Sequence, residues 1–192
     1  APALQPDGPV GDDALPGGRR GVRRALRRHR RRVQWTNYLI IGGRPKRVFE
    51  LALDVRRAKA ALGRDHVLLL RAHHFMATDR SWRRGDGFVL DVSDYPDIAD
   101  LYLAADVLVT DYSSAMFDFA GTGKPMLFFA YDLERYRDEV HGLYFDLEAQ
   151  APGPVLRTSD AVVAALRAGA YDQHADAYAD FVKTYCPYDD GF

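Results

Sequence analysis

Short, wholly apolar runs that alternate with stretches of helical periodicity constrain this chain more than any other feature. Val107-Leu108-Val109 is one such run. It stops at Thr110-Asp111, passes two hydroxyls at Ser113 and Ser114, and enters the helix-like segment Ala115-Met116-Phe117-Asp118-Phe119-Ala120. A run of this length suits a strand buried on both faces. Serine before an apolar periodic run is a helix N-cap signal. Strand, hydroxyl-rich turn and helix start together fit either an ordinary capped turn or an anion site, because unpaired backbone N–H groups gather at a helix start.

The same alternation runs through the chain. Trp35 to Ile41 reads as a strand ended by Gly42-Gly43. Val48, Leu51, Ala52, Val55, Ala58 and Leu62 have helical spacing, and Gly63 closes that helix. His66 to Arg71 and Phe88 to Leu90 read as strands, and Asp94 caps a helix through Ala105. Lys124 to Ala130 is a further strand, with Pro125 at its start, where proline is tolerated. Tyr131 to Tyr136 reads as a loop or helical turn. Thr158-Ser159-Asp160 caps a helix through Ala168, and Tyr171 to Tyr185 is a terminal helix. Continuous apolar strands between helices imply an α/β domain, a Rossmann-like parallel sheet with helices on both faces. There is no G-x-G-x-x-G or Walker-type loop to support dinucleotide binding of that kind or a P-loop.

Charge divides the chain in two. Residues 1–47 carry 12 Lys and Arg against three Asp, and residues 48–192 carry 14 against 24. The expected organisation is therefore a basic, irregular or disordered arm over 1–47 and an α/β domain over 48–192. Nine arginines between Arg19 and Arg32 leave only a thin apolar face, Val22, Ala25 and Leu26. A solvated tail fits them better than a helix that binds lipid or nucleic acid. Cys186 is the single cysteine, so an intramolecular disulfide is excluded and a reducing compartment is expected. No apolar run reaches the roughly 18 residues of a membrane span, and 47% apolar residues suffice for a core.

In a parallel sheet of this kind, ligands bind beyond the carboxyl ends of the strands. That rule gathers Arg71-Ala72-His73-His74, Asp91-Val92-Ser93, Thr110 to Ser114 and Ala130-Tyr131-Asp132 along one edge. An imidazole at a strand end can act as general acid or base, or hold a phosphate as imidazolium, and Arg71 adds a fixed cation beside it. Thr110, Ser113 and Ser114 offer hydroxyls to a phosphate. Asp111 would repel one, and its expected task is to hold the turn through backbone N–H groups. Tyr131 and Asp132 suit contacts with a base or ribose, or a capped surface loop. His73-His74 lacks metal-ligand spacing. The nucleophile elbow of serine hydrolases is missing.

Taken in order, these segments resemble the CDP-glycerol glycerophosphotransferases of teichoic-acid synthesis. The matching pieces include Arg71-Ala72-His73, Asp91-Val92-Ser93 with Tyr95, Val109 to Ser114 with Phe117-Asp118, Lys124-Pro125, Tyr131 to Glu134 with Tyr136, Gly142 to Asp146, and Tyr188 to Gly191. The match runs from about Phe49 to Phe192. It implies the C-terminal, nucleotide-binding half of a GT-B transferase. Such an enzyme moves glycerol phosphate from CDP-glycerol to a hydroxyl of a lipid-linked polyol-phosphate acceptor and releases CMP, with no cofactor and no metal. The resemblance assigns His73 as a catalytic residue. Arg71, Thr110, Asp111, Ser113, Ser114, Tyr131 and Asp132 become the substrate-binding set. It implies a cytoplasmic protein working at the inner face of the membrane, through peripheral contact at most, with no nucleic-acid partner. His141 stands where the family commonly carries arginine, and nothing in residues 1–47 matches the family's other functional histidine. The alternatives are a related transferase using another CDP-alditol or a nucleotide sugar, and an inactive nucleotide-binding module.

Overall fold

A computed structural model describes residues 31–37, 52–72, 87–135, 145–169, 171 and 174–187. Six strands, β1 (Arg31–Asn37), β2 (His66–Ala72), β3 (Val89–Asp91), β4 (Val107–Thr110), β5 (Met126–Phe129) and β6 (Val155–Leu156), form one sheet in the order β3-β2-β1-β4-β5-β6. Every pairing is parallel. This is the doubly wound order, and its winding reverses between β1 and β4. The helices are α1 (Val55–Leu62), α2 (Ile98–Ala104), α3 (Ala115–Ala120), α4 (Leu133–Arg135), α5 (Leu147–Gln150), α6 (Ser159–Ala168) and α7 (Ala175–Tyr185).

Alternation along each strand builds two cores. Leu68, Leu70, Val107, Val109, Leu127 and Phe129 face α1 and α6, meeting Ala58, Leu62, Val162 and Leu166. Leu108, Met126 and Phe128 face the other way, toward Tyr102, Met116, Phe119, Leu147 and Phe181. All four residues of β4 and all four of β5 are buried, as continuous apolar runs require. On the first face, α1 is tied to α6 by Asp54 N–H donating to Ser159 Oγ at 2.8 Å and by an Arg57–Asp160 pair at 3.1 Å.

The centre of the sheet departs from the sequence reading. β1 covers Arg31–Asn37, inside the stretch set apart as a basic arm, so the α/β domain includes residues well before 48. The expected strand ran from Trp35 to Ile41; residues 38–43 lie outside the described set. The two arginines that open β1 read as tail, yet Arg32 forms a two-pronged ion pair with Asp106, Nη2 to Oδ1 at 2.7 Å and Nε to Oδ2 at 2.9 Å. Its backbone N–H adds a third bond to Oδ2 at 2.6 Å. Asp106 returns its own N–H to the Arg32 carbonyl at 2.7 Å. The pair pins the start of β1 to the start of β4.

Helix starts moved for local reasons. α1 begins at Val55 rather than Val48, because the Asp54 side chain accepts the Arg57 N–H at 3.0 Å and caps it there. α2 begins at Ile98, capped by Asp97 rather than Asp94. Pro96 forces Tyr95 out of helical geometry, so a helix cannot start at Asp94. The terminal helix α7 begins at Ala175 rather than Tyr171. α6 is capped at its start as expected, by Thr158 Oγ1 accepting from Ala161 N–H at 3.2 Å, and Gly169 at φ 67° closes its end.

α7 closes the second core. The Tyr178 phenol donates to the Ala120 carbonyl at 2.9 Å. Burial, helped by Cys186 nearby, pushes its pKa up from 10.0 to about 12. A raised phenol pKa means that folding favours the protonated form. The contribution is full below the unfolded value near 10 and is lost as pH rises to about 12. The urea midpoint is therefore expected to fall across that window, and Tyr178→Phe to fall less steeply; equal slopes would show that Tyr178 does not carry the effect.

Candidate functional site

The parallel pairing brings the carboxyl ends of β2, β3, β4 and β5 to one edge. Leu70 and Val109 share the register of Trp35 in β1. Arg71 and Thr110, each one residue further on, are therefore level with each other across β1, about 10 Å apart at two strand spacings. The reversal of winding lies between β1 and β4, directly beside Thr110.

Thr110 is 1% exposed, and its Oγ1 has no hydrogen-bond partner among the described residues. A buried hydroxyl without a partner costs free energy, so its presence at a ligand edge is informative. The turn after it is built from its own side chains. Asp111, 4% exposed, accepts the Ser113 N–H on Oδ1 at 3.0 Å, and Ser113 Oγ accepts the Ala115 N–H at 3.1 Å. Ser113, not Ser114, therefore performs the helix-start bond. Its hydroxyl proton remains to be donated. Ser114 occupies the cap position of α3 without a side-chain bond and is exposed.

Arg71 Nη1 donates to the Tyr95 carbonyl at 2.8 Å, which fixes the guanidinium over the β3–α2 connection. The Asp91 carboxylate accepts the Ser93 N–H at 2.9 Å and shapes that connection. Beyond β5, Tyr131 is 37% exposed and its ring tilts over Phe129 at 5.3 Å. The Tyr112 phenol donates a hydrogen bond to Asp132 Oδ1. That phenol is held well above the ordinary tyrosine range, by burial first and then by the bond to Asp132. His73, assigned as catalytic, lies outside the described residues, as do His74 and His141.

Two residues of this edge escaped the sequence reading. Tyr112 is a tyrosine that the fold buries in a loop, where its phenol needs a partner; that burial carries no local sequence signal. Arg157, just past β6, donates to the Ala130 carbonyl at 3.2 Å and to Glu148 at 2.5 Å. The strand before it is two residues long, follows Pro152-Gly153-Pro154, and gave no strand signal. By contrast, Lys124 sits at the opposite, amino end of the sheet. It caps α2 through the Tyr102 and Leu103 carbonyls at 3.2 and 2.7 Å, and burial holds it below the ordinary lysine range. Asp146 likewise caps α5. Among the described residues no cluster of His, Cys, Asp and Glu could hold a metal ion.

A doubly wound sheet whose switch point carries a buried hydroxyl without a partner among the described residues, with a fixed arginine across β1, defines an α/β, Rossmann-like domain. The particular family is shown by comparison: the chain belongs to the CDP-Glycerol:Poly(glycerophosphate) glycerophosphotransferase family, whose model matches residues 28–192. It is 42% identical over 147 residues to the teichoic acid glycerol-phosphate transferase of Staphylococcus aureus, covering 74% of this chain and 37% of that protein. It is 43% identical over 119 residues to the teichoic acid poly(glycerol phosphate) polymerase of Bacillus subtilis, covering 62% and 16%. Among solved structures it resembles the wall teichoic acid polymerase TagF, with a TM-score of 0.75 at 30% identity, covering 88% of this chain and 43% of that one. The chain thus spans well under half the length of these relatives.

Proposed function

We propose that this chain is the donor-binding half of a glycerophosphotransferase that takes glycerol phosphate from CDP-glycerol, passes it to a hydroxyl of a lipid-linked polyol-phosphate acceptor and releases CMP. In this reading the acceptor oxygen attacks the phosphorus that bears glycerol. The bond from that phosphorus to the oxygen bridging to CMP breaks, and CMP leaves with the electron pair. The His73 imidazole takes the acceptor proton. Arg71, Thr110, Ser113 and Ser114 hold the diphosphate, Asp111 sets the turn, and Tyr131 and Asp132 serve the nucleoside. Phosphoryl transfer asks mainly for positioning and charge stabilisation, which these groups offer.

The observation that carries the reading is the buried Thr110 hydroxyl at the switch point, without a partner among the described residues, together with family membership. It is supported by a TagF variant soaked with CDPG, which this chain resembles at a TM-score of 0.70 and 28% identity. Glycerol-phosphate relatives range from 34 to 43% identity and ribitol-phosphate relatives from 31 to 34%, which favours glycerol as the polyol. Action at the inner face of the cell membrane, through a lipid-linked acceptor, belongs to the same reading. No helix among the described residues is long and apolar enough to cross a membrane.

Calorimetric titration is the test. CDP-glycerol and CMP should bind, CDP-ribitol more weakly, and UDP-glucose not at all; failure of every cytidine nucleotide to bind overturns the proposal. CMP release with a glycerol-phosphate primer then reads transfer. Thr110→Val sharpens the test, because its two effects have opposite signs. Removing the orphaned hydroxyl should stabilise the free chain by about 1–3 kcal/mol. The same change should weaken CDP-glycerol about tenfold or more, through the loss of a bond to a charged oxygen. A variant with unchanged donor affinity would remove Thr110 from the site.

A further inference from the structure

The loop after β5 is held from two sides. Its residue Ala130 is fully buried, its N–H donates to the Leu156 carbonyl at 2.9 Å, and its own carbonyl accepts from Arg157 at 3.2 Å. Arg157 is itself braced by Glu148 at 2.5 Å. On the β4 side, Asp132 accepts a hydrogen bond from the phenol of Tyr112, a residue 8% exposed in the hydroxyl turn. β4 and β5 are neighbours, with Thr110 in register with Phe128, so the two loops leave the sheet side by side. Between the anchored Ala130 and Asp132 stands Tyr131. Among the described residues, Tyr131 and Leu103 are the exposed large hydrophobic side chains. Of the two, only Tyr131 lies at the carboxyl edge. Its ring is backed by Phe129 at 5.3 Å.

We propose that Tyr131 is the face on which the donor's pyrimidine stacks, and that Tyr112 and Asp132 are the positioning pair that holds it there. This rests on the donor-binding reading above. The chemistry is that of sequence-tolerant base stacking on a rigid aromatic: a backed ring with few free torsions binds a flat base without a large ordering cost. The Tyr112–Asp132 bond links that ring to the turn carrying Thr110 and Ser113. Nucleoside and phosphate contacts then share one rigid frame. Tyr112 acts through Tyr131 and touches no ligand itself.

The test uses the 192-residue chain and CMP, which carries the base but not the glycerol phosphate. Tyr131→Ala and Tyr112→Phe are each expected to weaken CMP about tenfold. The Tyr112→Phe, Tyr131→Ala double variant should bind no worse than Tyr131→Ala alone, because the first change acts through the second. Tyr112→Phe is isosteric, so a folded protein is expected, and its thermal midpoint is recorded beside its affinity. A lowered midpoint with unchanged CMP affinity would make the bond a structural staple and overturn the inference. So would additive losses in the double variant. If wild type binds CDP-glycerol and Tyr131→Ala binds CMP as wild type does, this inference alone falls. If wild type binds neither CMP nor CDP-glycerol, the donor-binding reading falls and this one with it.

Discussion

Truncation of Phe181 to alanine is expected to cost about 3–5 kcal/mol, read as a shift in urea unfolding midpoint. The ring is 2% exposed. It stacks on Phe117 with centroids 5.5 Å apart and meets Phe145 at 6.1 Å and Tyr185 at 5.0 Å. Its removal leaves a cavity under α7 that backbone shifts can only partly fill. A domain of this size has about 5–15 kcal/mol in total, so the variant should be marginal. The consequence reaches the site. α7 supports α3 through the Tyr178 bond to Ala120, and Cys186 Sγ donates to the Phe117 carbonyl at 3.7 Å. α3 leads directly out of the hydroxyl turn. CMP affinity should drop along with stability, and an unfolding free energy within about 1 kcal/mol of wild type would show that α7 is not held by this cluster.

Gly153→Ala is expected to be comparably severe and more local. A Cβ at 153 would lie 2.0 Å from the Met126 carbonyl oxygen and 3.0 Å from its carbon. Both belong to the backbone of β5, which has no rotamer to change. Overpacking of this kind costs about 3 kcal/mol or more. The expected site of damage is the edge strand β6, since Phe128 N–H donates to the Pro154 carbonyl at 3.0 Å and Ala130 N–H to Leu156 at 2.9 Å. Amide exchange at Phe128 and Ala130 should accelerate well before the rest of the sheet responds. Continued protection of both amides would mean that the chain accommodates the methyl group. Arg157 depends on β6 for its place, so the same variant should also loosen the loop bearing Tyr131.

How much of this was legible from sequence depended on how local each signal was. β4 and α3 were read almost to the residue, because an apolar run, a hydroxyl turn and a periodic segment follow one another within 14 residues. α6 was equally clear from the cap signal Thr158-Ser159-Asp160. The parallel sheet followed from the doubly buried strands. The helix starts at Asp54 and Asp97 were missed because each competes with other plausible starts, and only Pro96 gave a local warning. β6 hides between Pro154 and Arg157, and its pairing with β5 depends on the close approach at Gly153. In the site, Thr110 was recognisable as a hydroxyl at a strand end, but its lack of a partner is a property of the folded surroundings. Tyr112 was passed over in favour of its neighbours, since nothing in the sequence says which of five consecutive polar or aromatic residues turns inward.

The central strand has a consequence for how the sheet assembles. β1 is the first of the described strands yet sits between β2 and β4, and the Arg32–Asp106 pair that fixes it joins residues 74 positions apart. Until β1 is in place, β2 with β3 and β4 with β5 and β6 are two ribbons, each with an open edge of unpaired N–H and C=O groups. Such edges recruit other chains. The strand that opens with what reads as tail therefore joins the two ribbons and covers one open edge of each.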